Sequence, residues 1–134
     1  METSPAEVLP IRTSEDIVLV RTAVRKSAVQ IRLGLVDQTK IVTAASEIAR
    51  NTLDYGLGGQ VSIHILQVPK AGVRLVFQDQ GPGIADIPLA LTDGWTTGKG
   101  MGLGLSGTRR LMDDFQIASN VGEGTTVTIT KWSR

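Results

Sequence analysis

The sequence contains no cysteine. Disulfides and thiolate metal sites are therefore excluded, and the chain suits a reducing cytoplasm. Histidine is nearly missing too, since His64 is the sole example. It falls in the stretch Val61-Ser62-Ile63-His64-Ile65, opposite in phase to the apolar positions, and reads as a surface residue. A Ser–His–Asp triad and a histidine metal site thus have little to stand on. No apolar run approaches about 18 residues, so no segment is expected to span a bilayer. The N-terminus, Met1-Glu2-Thr3-Ser4-Pro5, is acidic and polar and lacks the apolar core of a signal peptide. An excess of one charge is also absent: 14 basic residues face 13 acidic ones, for a net charge of +1. Arg25-Lys26 and Arg109-Arg110 are isolated pairs. Neither nucleic acid nor a membrane is expected as the main partner.

What is present is an ordinary globular composition, 41% hydrophobic and 20% charged, in 134 residues. That length fits one domain, residues 1–134, with enough chain to bury a core. Val8 to Arg12 is expected as a short strand. Ser14 is expected to cap a helix whose buried stripe is Ile17, Val20, Val24, Ala28 and Ile31, with Gly34 as its stop. Asp37 is expected to cap a second helix with Ile41, Ala44, Ala45, Ile48 and Ala49 inward, ended by Gly56, Gly58 and Gly59. Val61–Val68 and Val73–Gln78 read as strands, Gly102–Met112 as a helix, and Phe115–Ser119 and Thr125–Trp132 as closing strands. Short links between neighbouring strands favour antiparallel pairs. The order predicts an α+β two-layer sandwich, with helices on one face of a mixed, mostly antiparallel sheet.

Glycine is the excess, with 15 residues in the chain and a cluster between Gly81 and Gly107. Three constellations around it could carry chemistry. Glu47 and Asn51 are four apart, so a helix places them on one face. Oxygen donors suit Mg²⁺, and a glutamate one turn from the metal can take a proton from an attacking hydroxyl. The plain alternative is a solvated helix face with an Arg50–Asp54 pair. Asp79-Gln80-Gly81-Pro82-Gly83 follows the expected strand Arg74–Phe77. A carboxylate at a strand end can accept a hydrogen bond from the exocyclic amine of adenine, while Gly81 and Gly83 leave room beside a planar base. An ordinary acidic turn would use the same residues. The third is Gly98-Lys99-Gly100-Met101-Gly102-Leu103-Gly104-Leu105-Ser106-Gly107 at a helix start. Its amides suit phosphate, and Lys99 could add charge. Gly102, Gly104 and Gly107 match a dinucleotide fingerprint, but the stretch before them, Leu91–Thr97, is a polar loop where that motif needs a strand. A P-loop fails on spacing and on Gly100 in place of Ser or Thr. Trp95, in the polar loop, suits a contact surface, and Trp132 suits packing.

Taken together, the motifs resemble the GHKL ATPase superfamily of gyrase, Hsp90, histidine kinases and MutL. Glu47-Ile48-Ala49-Arg50-Asn51 is similar to its N box, and Asp79-Gln80-Gly81-Pro82-Gly83 to its first glycine box. Gly100-Met101-Gly102-Leu103-Gly104-Leu105 is similar to its second. Within the superfamily, Arg110-Leu111-Met112-Asp113, Val121-Gly122-Glu123-Gly124-Thr125 and Lys131-Trp132-Ser133-Arg134 resemble the RsbT-type switch kinases. The likeness runs from about Val8 to the end.

The resemblance implies a Bergerat fold binding ATP and Mg²⁺. By it, Asn51 would hold Mg²⁺, Asp79 the adenine amine, and Thr125 would lie near the base. Gly81 and Gly83 would line the base, Gly100, Gly102, Leu103 and Gly104 would wrap the phosphates, and Glu47 would be the base. Gly98 stands where related anti-sigma kinases carry an arginine, with Lys99 beside it. The implied activity is phosphorylation of a serine or threonine on a STAS-domain partner, a substrate and scaffold of a stressosome-like complex. Engagement of a PP2C-type phosphatase or another output would follow. A nucleotide-gated anti-sigma-like or phosphatase-activating binding module is the alternative, and a plain ATPase subunit a weaker one.

Overall fold

The computed structural model describes residues 5–68, 70–84, 86–91 and 105–133. The chain opens with strand β1 (Glu7–Ile11), then helices α1 (Ser14–Gln30) and α2 (Leu35–Asp54). A hairpin of β2 (Gly59–Leu66) and β3 (Gly72–Asp79) follows. Then come the short helix α3 (Ile87–Ala90), α4 (Leu105–Leu111) and the closing strands β4 (Asp114–Asn120) and β5 (Gly124–Trp132). The strands form one sheet in the order β1-β2-β3-β5-β4, and each of these pairings is antiparallel. Helices and sheet thus form the expected α+β layers.

Alternation in the strands decides which face is covered. Val61 and Ile63, Leu75 and Phe77, and Val127 and Ile129 are buried, and they meet Ile17, Val20, Val24, Ile41, Ala44, Ala45 and Ile48 from the helices. Alanines on α2 bring that helix close to the sheet, which sets the position of Asn51 in its last turns. The opposite sheet face is polar and includes Ser62, His64, Arg74, Gln78, Gln116, Thr126, Thr128 and Thr130. His64 is half-buried there, away from the apolar face as its phase predicts.

Three expected boundaries move. Thr13, not Ser14, caps α1: its Oγ1 accepts from Asp16 N–H at 3.3 Å, and the Asp16 carboxylate accepts from Thr13 N–H at 3.0 Å. This reciprocal box satisfies two helix-end donors at once, which Ser14 within the first turn does not do. Gly34 does not stop α1. Arg32 takes the left-handed conformation (φ 61°), and Arg32 and Leu33 N–H groups return to the Val29 and Ala28 carbonyls. Gly34 is instead the N-cap residue of α2, which leaves Asp37 in the first turn. There Asp37 pairs with buried Lys131 (3.6 Å). Lys131 also reaches Asp113 (3.4 Å) and donates to the Leu111 carbonyl (3.1 Å), so one ammonium ties the start of α2 to the end of α4. Trp132 packs as expected, over Gly72 and donating to Asp114 at 2.7 Å.

Candidate functional site

A cleft opens where the C-terminal half of α2 crosses the ends of β3 and β5. Ile48, Phe77, Ile84, Leu105, Ile117 and Val127 give it apolar walls, and Asn51, Thr52, Tyr55, Asp79 and Thr125 are its polar lining residues. Three of the residues singled out by sequence, Asn51, Asp79 and Thr125, therefore meet in one place, although they lie on three different elements.

Asp79 is the last residue of β3, and its position follows from register. Gln78 pairs with Thr126, so the chain one step further brings Asp79 beside Thr125 at the β5 start. The Asp79 Oδ1 accepts from Gly81 N–H (2.9 Å) and Thr125 N–H (3.2 Å). Those two bonds fix the carboxylate's rotamer. Burial pushes its pKa above the ordinary carboxylate value, and the two amide bonds pull against that rise. A half-buried carboxylate in an apolar cleft gains from a hydrogen-bond donor offered by a ligand.

Gly81 and Gly124 have steric reasons for being glycine. A Cβ on Gly81 would fall 2.7 Å from the Gly56 backbone, and one on Gly124 would strike the Asp79 carbonyl. The close neighbour of Gly81 is thus the turn after α2 rather than open space for a base. Gly83 lies with Gly81 in the turn after β3, and its carbonyl accepts from the Tyr55 hydroxyl at 3.0 Å.

Glu47 stands one helical turn before Asn51 and is exposed, outside the cleft lining. Such a position is open to an incoming macromolecule. Arg50 and Asp54 do form the exposed i,i+4 pair, at 3.8 Å. It contributes little, as surface pairs do. Lys99, Gly100, Gly102, Leu103 and Gly104, with Trp95, lie outside the described residues. Leu105, the last residue of the second glycine-box motif, starts α4 and lines the cleft.

Sequence reasoning missed Tyr55, Gly56 and Ser119. Tyr55 caps the end of α2, and Gly56 packs against both Gly81 and Asp79. Ser119 lies on β4 and bonds Ile84 and the Gly124-Thr125 segment. Only Gly56 carried a signal, as a glycine just past the N-box helix.

The donor set fits Mg²⁺ in kind: Asn51 offers a neutral carbonyl oxygen on the polar side of the cleft. Among the described residues no group of three or more His, Cys, Asp or Glu side chains could hold a metal by itself. A metal here would share its coordination with a phosphate, as Mg²⁺ commonly does.

Comparison with known proteins agrees with this geometry. The family of histidine kinase-, DNA gyrase B- and HSP90-like ATPases matches residues 36–133. Serine/threonine-protein kinase RsbT of Bacillus subtilis is 44% identical over 92% of this chain and 94% of its own. An anti-sigma F factor of Thermoanaerobacter is 27% identical over 97% of this chain and 94% of its own. The solved RsbU and RsbW domains of a Mycobacterium tuberculosis protein superpose with a TM-score of 0.67 at 24% identity, covering 98% of this chain and 33% of that one. The catalytic domain of histidine kinase ThkA superposes with a TM-score of 0.55 at 18% identity, covering 95% of this chain and 96% of that one. These two likenesses are of fold. The chain belongs to the histidine kinase-, DNA gyrase B- and HSP90-like ATPase family, and within it to the RsbT-type serine/threonine protein kinases.

Proposed function

We propose that this kinase transfers the γ-phosphoryl group of ATP to a serine or threonine of a STAS-domain protein in a stressosome-like partner switch. The observation that carries the reading is the cleft itself. A fixed carboxylate, Asp79, stands at a strand end beside Thr125, with Asn51 on the adjoining helix. In this reading Asp79 accepts from the adenine amine, and the apolar walls hold the base. Asn51 would hold Mg²⁺, which would neutralise phosphate charge. Gly100, Gly102, Leu103 and Gly104 wrap the phosphates, and Lys99 adds charge. Gly81 and Gly83 shape the turn beside the base. Glu47, exposed one turn along α2, takes the proton of the acceptor hydroxyl as its oxygen bonds to the γ-phosphorus. ADP leaves with the electrons of the broken P–O bond. The whole chain, residues 1–134, works as one ATPase/kinase domain in the cytoplasm, without nucleic acid or membrane as partner. Among the described residues no helix is long and apolar enough to cross a membrane. After transfer the kinase is released to engage a PP2C-type phosphatase or another output.

Likeness to anti-sigma F factors favours a second reading. There the chain is an anti-sigma-like or phosphatase-activating module in which ATP only sets conformation. Glu47→Ala separates the two. With labelled ATP and the cognate STAS protein, the parent chain should mark one hydroxyl residue. The variant should lose at least about 100-fold in transfer, the scale of general-base catalysis, while nucleotide and partner binding persist. No transfer by the parent chain, with ATP bound, would leave the module reading standing.

A further inference from the structure

The Ser119 hydroxyl sits among three polar neighbours. The Ile84 N–H lies 2.7 Å away, the Gly124 carbonyl 3.0 Å and the Thr125 hydroxyl 2.8 Å. A serine hydroxyl has one hydrogen and two lone pairs. Ile84 N–H takes one lone pair as donor. The Gly124 carbonyl can only accept, so the serine's hydrogen must go there. Thr125 must then donate its own hydrogen to the remaining lone pair of Ser119. If Ser119 donated to Thr125 instead, its oxygen would face the Gly124 carbonyl lone pair to lone pair. A single assignment makes all three contacts hydrogen bonds.

Thr125 lines the cleft and spends its only hydrogen on Ser119, so its hydroxyl has only lone pairs left for a ligand. Asp79 beside it is an acceptor as well, and its Oδ1 already takes two amide bonds. Among the described residues, the polar corner of Asp79 and Thr125 therefore offers acceptors and no hydroxyl donor. We propose that Ser119 is a specificity-determining residue: by holding the Thr125 hydroxyl turned away, it makes the corner select a purine bearing a 6-amino group over one bearing a 6-oxo group. An exocyclic amine brings two hydrogens to two acceptors. A carbonyl in its place meets lone pairs, and a buried mismatch of this kind is strongly rejected. Ser119 touches no nucleotide itself and acts through Thr125, so it is a positioning residue. This rests on the reading of the cleft as the nucleotide site.

The test is the ratio of ATP to inosine triphosphate affinity, measured by calorimetry with Mg²⁺ on the full chain. The parent chain should favour ATP. Ser119→Ala frees the Thr125 rotor to donate, so the ratio should fall by about tenfold. Most of the change should come as weaker ATP binding and a relative gain for inosine triphosphate. A purely structural serine would weaken both nucleotides equally, and an unchanged ratio overturns the proposal. Thr125→Val keeps the Ser119–Ile84 bond and removes one acceptor. It should lower the ratio too, and an unchanged ratio in this variant overturns the proposal equally if the alanine variant does not fold. A parent chain that binds neither nucleotide overturns the site reading and this proposal with it.

Discussion

At the scale of single residues, Asp79 shows opposed demands of stability and binding. Burial raises its pKa, so in the empty fold the ionised form is disfavoured relative to the unfolded chain. The folded state therefore holds the proton to higher pH than the unfolded one. Stability from this group is present below the ordinary carboxylate pKa and is lost as pH rises through the folded value. Binding runs the other way, because an amine donor needs the carboxylate ionised. Asp79→Asn should weaken ATP binding by about 10- to 100-fold, the worth of a hydrogen bond to a charged group. The same variant should melt no lower than the parent chain when both are empty at neutral pH. ATP affinity of the parent should fall as pH drops through the folded pKa, and that of the variant should not. Titrations at two pH values with both proteins check the affinities, and thermal melts of the empty proteins check the stability; equal ATP affinity in parent and variant would place the base elsewhere.

Among the secondary-structure elements, α2 and α4 are held in relation to each other by Lys131. Its ammonium is nearly fully buried, at 3% side-chain exposure, whereas Asp37 and Asp113 keep some contact with water. Removing it leaves two acids and the Leu111 carbonyl without that partner. Lys131→Met should destabilise the chain by about 3 kcal/mol, the usual loss on breaking a buried pair. Urea unfolding reads this directly, as a lower midpoint with an unchanged slope. Such a link could not be read from sequence, because its members lie far apart in the chain and only tertiary pairing joins them. Local signals fared differently. The apolar stripe of α2 and the strand alternation of β3 and β5 were legible, since burial on one face imposes the period. The ends of α1 were not. A capping box at Thr13 competed with an equally suitable Ser14, and a left-handed Arg32 did the work that glycine usually does. Helix α3 was not expected from the sequence, although proline fits a first helical turn. In the cleft, Asn51, Asp79 and Thr125 were legible as motif residues, whereas Ser119 has no motif and matters only through its neighbours.

Across the whole molecule, the cleft gathers residues from elements that also share the core. Its lining draws on α2, β3, β4, β5 and the start of α4. A ligand bridging all of them binds the folded chain and not the unfolded one, so it must raise the melting temperature. At about 100 times its dissociation constant, ATP with Mg²⁺ adds about 2.7 kcal/mol. For a chain of this size that is a rise of roughly 8 °C. Chelating the divalent ion with ATP still present should remove most of the rise if Asn51 holds the metal against the phosphates. Asn51→Ala should then show the same small rise with or without Mg²⁺, because the metal has lost its protein ligand while Asp79 still holds the base. The three melts of the parent chain, empty, with ATP, and with ATP and Mg²⁺, therefore separate the base contact from the metal contact. Coincident melts at saturating nucleotide would mean that no ligand bridges these elements. The acceptor corner of Asp79 and Thr125 would then have to serve some other donor.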